Sequence, residues 1–194
     1  MAMTATAVVP AAGKAERFGG AKLLADIDGQ TVLDRTLKCL FDAFIEHVVL
    51  VVGPRDDYSS ARWANDKRLR IVVNPDPSRG MFSSIQEGLR DAPGDPLVIL
   101  PADMPFVSTS SVNAVINAAV LKKVIVVPVH AGRRGHPVAF PARYREAIVG
   151  APATSTLKDA LEATGEERMD VEVADPGILH DVDRPEDLTP PATP

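Results

Sequence analysis

Val8-Val9-Pro10 runs into Ala11-Ala12-Gly13, and an arginine and a lysine follow at Arg17 and Lys22. An apolar run that breaks into residues with little or no side chain lets a backbone approach a ligand closely. Successive N–H groups in such a turn form a concavity for phosphate oxygens. Arg17 can grip a phosphate with two N–H groups, and Lys22 adds a point charge. The stretch lacks the Gly-Lys-Ser/Thr ending of a P-loop and the Gly-x-Gly-x-x-Gly of a dinucleotide fingerprint. Taken alone, a turn carrying solvated cations accounts for it too. Further along stand the other groups with chemistry to offer: Asp103 just past an apolar run, Asp181 and Asp183 near the end, and His136 ahead of Pro137. Each also suits a plain turn.

The elements that must position these groups alternate. Ala5–Pro10, His47–Val52, Arg70–Asn74, Leu97–Leu100 and Val124–Val129 read as buried strands, rich in β-branched residues. Thr31–Phe44, Ser83–Asp91 and Ser108–Val120 read as helices, Thr31 capping the first with Asp34 in its opening turn. A polar helix is expected after Gly53-Pro54. Pro137–Phe140, Thr156–Ala163 and Met169–Val173 complete the pattern. Strands alternating with helices predict a single Rossmann-like three-layer α/β/α domain over residues 1–188, with a mostly parallel sheet covered on both faces. The Pro-rich residues 189–194 read as a disordered tail. Ligands of such sheets bind beyond the carboxyl ends of the strands. The loops after Pro10, Asn74 and Leu100 should therefore meet at one cleft.

Composition narrows the partners. The 194 residues are 45% hydrophobic and 24% charged, with a net charge of −5, which gives no basic surface for nucleic acid. The one cysteine, Cys39, excludes an internal disulfide and leaves a zinc site without partners. It falls in an apolar helical pattern and reads as a small core residue. Apolar runs are of strand length, which argues against a membrane span. With no signal-peptide pattern at the start, a cytoplasmic protein is the expectation.

The pattern Ala11-Ala12-Gly13-x-x-x-Arg17-x-Gly19-x-x-Lys22 resembles the signature of the MobA-like nucleotidyltransferases of molybdenum cofactor biosynthesis, which carry the nucleotide-diphospho-sugar transferase type of fold. Gly80-Met81-Phe82-Ser83-Ser84 is similar to their second loop, and Ala102-Asp103-Met104-Pro105 to their metal-binding motif. Arg134-Gly135-His136-Pro137 resembles a segment of the cytidylyltransferase branch. Asp181-Val182-Asp183-Arg184-Pro185-Glu186-Asp187-Leu188 resembles the closing motif. The motifs occur in order along nearly the whole chain.

This resemblance implies transfer of a nucleoside monophosphate from an NTP to a phosphorylated acceptor, with release of pyrophosphate. It implies Arg17, Lys22 and Asp103 as catalytic residues. The nucleotide would lie against Ala11, Ala12, Gly13, Arg17, Lys22, Gly80, Met81, Ser83 and Ser84. Mg²⁺, or Mn²⁺ in its place, would sit on Asp103 and Asp183, with Asp181 as the alternative second carboxylate; such hard ions take carboxylate and phosphate oxygens. His136, Pro137 and Phe82 would face the acceptor, a molybdopterin-type molecule. A molybdenum hydroxylase or its maturation factor is the implied protein partner. Ala-Ala-Gly in the first loop resembles the CTP-using branch; the GTP-using branch has Ala-Gly-Gly, where the missing methyl admits a larger purine. Pro10 stands where Leu is usual, and Phe82 where Ser is common. The alternatives are GTP as donor, 2-phospholactate or a sugar phosphate as acceptor, a glycosyltransferase built on Asp181-Val182-Asp183, and a non-catalytic nucleotide- or cofactor-binding chaperone. Glu186 and Asp187 read as structural residues of a first helical turn.

Overall fold

The computed structural model describes residues 4–13, 18–19, 21–56, 58 and 63–192. Strands β1 (Thr6–Pro10), β4 (His47–Val52), β5 (Leu69–Val73), β6 (Leu97–Ile99), β7 (Ile125–His130), β8 (Arg133–Arg134), β9 (Val138–Phe140) and β10 (Arg168–Glu172) form one sheet. Its order is β10-β7-β9-β6-β1-β4-β5, with β8 attached to β7. β1 lies between β4 and β6 and runs parallel to both, with Val8 opposite Val49 on one side and Ile99 on the other. β4 and β5 are parallel, as are β7 and β10. Only β9 and the short β8 run against their neighbours. The expected α/β architecture, mostly parallel, is therefore present. Asp26–Ile27 (β2) and Gln30–Thr31 (β3) form a separate hairpin.

Helices cover both faces. Residues alternate sides along a strand, so Ala5, Ala7 and Val9 join one core and Val8 joins the other. The first core packs Val48, Leu50 and Val98 against α1 (Val32–Phe41) and α3 (Thr109–Lys122). The second packs Val49, Leu97 and Ile99 against α2 (Met81–Arg90), α4 (Arg145–Val149) and α5 (Leu157–Glu162). Each fully buried Leu or Ile on these faces, such as Leu37, Leu89 and Ile116, stabilises the fold by about 1.5–3 kcal/mol. No helix among the described residues is long and apolar enough to cross a membrane.

Several boundaries differ from expectation. The capping box at Thr31 and Asp34 starts α1 as read, but the helix ends at Phe41. There the Ala43 N–H turns back to the Leu40 carbonyl, leaving Phe44 56% exposed instead of on the apolar stripe. α2 starts at Met81, two residues early, because its N-cap is Gly80 at φ +88°, a conformation that suits glycine. Ser83 is not the cap: its hydroxyl donates to the Gly80 carbonyl. The polar helix expected after Gly53-Pro54 falls largely on residues 57 and 59–62, outside the described residues; residues 63–65 form a turn. Residues 189–192 carry neither helix nor strand, and 193–194 are likewise not described. Cys39 is buried, and that burial pushes its thiol up to about 12, consistent with a core role.

Candidate active site

Parallel strands deliver their carboxyl ends to one side of the sheet, and the loops after β1, β5 and β6 meet there. Backbone bonds carry the ladder past the strand ends: the Ala11 N–H reaches the Val51 carbonyl at 2.7 Å, and that of Ala102 reaches Pro10 at 3.2 Å. The result is a cleft of about 640 Å³. Ala11, Ala12 and Gly13 line it from the first loop, Pro77, Gly80, Met81 and Ser84 from the second, and Pro101, Ala102 and Asp103 from the third. The loop after β4 adds Arg55, Asp56 and Tyr58.

Lys22 opens a short 3₁₀ turn, Lys22–Leu24, on the wall of this cleft. Its ammonium donates to Asp103 Oδ2 at 2.7 Å and to Asp183 Oδ1 at 3.2 Å. Burial by itself would lower the Lys22 pKa, but the paired carboxylates, Asp103 foremost, outweigh it and hold the amine above its ordinary value. The two acids come from distant parts of the chain, and the backbone locks them together. The Val182 N–H donates to the Asp103 carbonyl at 2.9 Å, while the Val182 side chain is buried with Ile27 and Val32. The Asp187 carboxylate accepts from the N–H groups of Asp183 and Arg184 at 2.9 and 2.7 Å, which fixes the turn that presents Asp183. On the Asp103 side, the Thr36 hydroxyl donates to the Ala102 carbonyl.

Asp103 and Asp183 suit a hard divalent cation, since their oxygens already converge on one cationic nitrogen. No group of three or more His, Cys, Asp or Glu suited to a metal occurs among the described residues. Mg²⁺ sites of this kind take one or two carboxylates and fill the remaining positions with phosphate oxygens and water. The donor set fits such an ion.

The second loop hangs on Asn74, which directly follows β5 and is fully buried. Its amide donates to Ser83 Oγ at 2.8 Å and Ser84 Oγ at 3.0 Å, and its Oδ1 accepts from the Asp76 N–H at 3.0 Å. Ser84 still lines the cleft, whereas the Ser83 hydroxyl is turned inward. Beyond Met81 and Pro101 opens a second cavity of about 870 Å³. Phe82, Ile99, Val127 and Val138 give it apolar walls, and charges of both signs line it: Arg79, Arg134, Lys158 and Arg168 beside Glu162 and Glu166, with Lys158 and Arg168 paired to Glu162 and Arg134 to Asp170. His136 lies on its wall. Burial pushes the His136 imidazole below its ordinary value of 6.5, against the pull of Asp103, Asp181 and the Ile99 carbonyl. Its Nδ1 is buried with no hydrogen-bond partner among the described residues.

Residues 7–169 match the model of the MobA-like NTP transferase domain. The chain belongs to this family. It is 24% identical to the molybdenum cofactor cytidylyltransferase of Escherichia coli (strain K12), over 93% of this chain and 92% of that protein. It is 32% identical to nicotine blue oxidoreductase of Paenarthrobacter nicotinovorans, over 74% of each. Among solved structures, the crystal structure of Rv0371c from Mycobacterium tuberculosis H37Rv shares the fold with a TM-score of 0.77, at 22% identity and 95% coverage of both chains. A crystal structure of Rv0371c in complex with manganese matches with a TM-score of 0.70, at 22% identity over 89% of each chain.

In this MobA-like nucleotidyltransferase the structure brings Lys22, Asp103 and Asp183 together, and lines one cleft with Ala11, Ala12, Gly13, Gly80, Met81 and Ser84. Asp181 is exposed, and Asp183 is the acid at the ammonium. Phe82 and His136 share the adjoining cavity, while Pro137 is buried and lines neither space. Arg17 lies outside the described residues. Arg55, Asp56, Tyr58 and Asn74 belong to this site without standing in any of the sequence motifs. The rule that picked three loops at strand ends applies equally to β4, and would have found the first three. Asn74 closes a β-branched run with a polar side chain, a signal of a buried hydrogen-bonding hub.

Proposed function

We propose that this MobA-like nucleotidyltransferase moves a nucleoside monophosphate, CMP in preference to GMP, from the NTP to the phosphate of a molybdopterin-type acceptor. The convergence of Lys22, Asp103 and Asp183 on a cleft floored by Ala11-Ala12-Gly13 carries this reading. An acceptor phosphate oxygen forms a bond to the α-phosphorus. The bond to the bridging oxygen breaks, and pyrophosphate leaves with the electron pair. The chain's part is to hold both substrates in line and to neutralise charge. The small residues of the first loop would let backbone N–H groups reach the triphosphate, and Lys22 and Arg17 would meet its oxygens. Asp103 and Asp183 would hold Mg²⁺, or Mn²⁺, which would supply Lewis-acid neutralisation of the triphosphate charge. The methyl of Ala12, on the cleft wall, supports the smaller pyrimidine donor. The second cavity, apolar on its Phe82, Ile99, Val127 and Val138 walls, would take a flat acceptor. Arg79, which pairs with no acid among the described residues, would meet its phosphate, with His136 and Phe82 on the wall.

The relative named molybdenum cofactor cytidylyltransferase supports CTP and the acceptor class. The manganese complex of a protein of the same fold supports a divalent ion. On this reading residues 1–188 act as one domain, an NTP donor suits a cytoplasmic setting, and the product serves a molybdenum hydroxylase or its maturation factor. Pyrophosphate release with each NTP, Mg²⁺ and molybdopterin, 2-phospholactate or a sugar phosphate tests it. CTP with molybdopterin is expected to give the fastest release, and no turnover with any pair would sink the enzymatic reading. Asp103→Ala is expected to lower turnover by about 10²–10³-fold while CTP binding, followed by calorimetry, largely persists.

A further inference from the structure

Lys22 stands where a metal-binding reading of Asp103 and Asp183 would put positive charge. We propose that Lys22 is an exchangeable counter-ion, neutralising the two carboxylates until a nucleoside triphosphate draws its ammonium away, so that divalent ion and nucleotide enter together. This rests on the reading of Asp103 and Asp183 as metal carboxylates.

The geometry carries the argument. A single ammonium bonds both acids, at 2.7 and 3.2 Å, and its side chain is only 13% exposed. A divalent ion held by the same two carboxylates would compete with that ammonium for them, and like charges repel strongly in a site partly shielded from water. Lys22 must therefore move, or the ion binds weakly. Movement is available, because Lys22 lines an open cleft on a short 3₁₀ turn and a lysine is a point charge on a flexible stem with rotatable donors. It also needs a destination, since a displaced ammonium in a half-buried cleft requires new acceptors. Triphosphate oxygens are such acceptors. They would also supply the ion's missing ligands, since the described residues bring it only two carboxylates. The ion and the nucleotide each remove an obstacle to the other. Such coupling is reciprocal: each raises the affinity for the other by the same factor.

The test is Mn²⁺ binding followed by electron paramagnetic resonance, with and without CTP, on the intact chain. Wild type is expected to bind Mn²⁺ weakly alone and about tenfold or more tightly with CTP. Lys22→Met keeps the length of the side chain but not its charge. It is expected to bind Mn²⁺ alone about tenfold more tightly than wild type, with the gain from CTP reduced by a similar factor. Lys22→Arg keeps the charge and is expected to stay near wild type. Adding Asp183→Asn to Lys22→Met should abolish the gain, which places the ion at this pair. Mn²⁺ affinity that is unchanged or weaker in folded Lys22→Met overturns the proposal, as does wild type whose Mn²⁺ affinity ignores CTP. Should Lys22→Met fail to fold, Lys22→Gln and the wild-type coupling decide. Unchanged affinity in the variant beside active wild type removes the exchange alone. Tighter Mn²⁺ in the variant beside inactive wild type removes the transferase reading alone.

Discussion

His136 sets a pH limit on the fold. Its imidazole is half-buried, with Nδ1 shielded from solvent, and is held below 6.5, with desolvation as the main cause. A histidine that binds its proton less readily folded than unfolded leaves stability intact above its ordinary value, and stability is lost as pH falls from 6.5 toward the lower folded value. Urea denaturation of wild type is expected to show stability falling below about pH 6.5, with a contribution of up to about 1.4 kcal/mol per pH unit from one proton. His136→Asn removes the titrating ring and is expected to flatten that part of the profile. An equal slope in the variant would assign the acid loss to other groups. The sequence marks His136 through its neighbours Gly135 and Pro137. The depth of its burial comes from segments far along the chain: its N–H donates to the Ile178 carbonyl, a contact no local pattern encodes.

Asn74 shows how one side chain can hold a loop together. It directly follows β5 and ties Asp76, Ser83 and Ser84, which links the end of the strand, the turn Pro77–Arg79 and the first turn of α2. Asn74→Ala removes the amide that Ser83 and Ser84 accept from and the carbonyl that holds the Asp76 N–H, at a cost of about 1–3 kcal/mol. Because Gly80, Met81 and Ser84 line the cleft, KM for CTP is expected to rise by about tenfold with a smaller change in kcat, the pattern of lost ground-state binding. A lowered melting temperature with KM unmoved would make Asn74 a fold residue only. Elements such as β1, β4, β6 and β7 were legible because buried β-branched runs have few other homes. The β2–β3 hairpin was passed over although Asp28-Gly29 is a turn signal, with both residues at positive φ; its strands are too short for an alternation to show. α4 and β8 are short as well, and α4 follows directly on the 3₁₀ turn Ala142–Tyr144.

The charged centre depends on the closing segment folding back across the carboxyl end of the sheet, since Lys22 is 81 residues from Asp103 and 161 from Asp183. Motifs along the chain named these residues, but their meeting is a property of topology: parallel β1 and β6 align two loops, and residues 175–187 bring the third group. Asp175 anchors that segment, accepting from the Ser108 N–H at 2.9 Å, the Ser111 hydroxyl at 2.7 Å and the Gly177 N–H at 2.9 Å. At Gly177 the backbones pack closely, and a Cβ there would collide with the Phe106 carbonyl oxygen. Since neither side of that contact is a flexible side-chain tip, Gly177→Ala must lift the closing segment off the Asp103 loop, at a cost of about 1–3 kcal/mol for the overpacking. Asp183 then loses its place beside Asp103, while the first loop, built on β1, keeps its own. The variant is therefore expected to melt lower, to hold Mn²⁺ in the presence of CTP about tenfold more weakly, and to bind CTP alone nearly as wild type does. Melting by circular dichroism and paired Mn²⁺ and CTP titrations read these effects separately. A lowered melting temperature with Mn²⁺ affinity intact would show that Asp183 holds its position without the segment's packing, and that the turn fixed by Asp187 suffices.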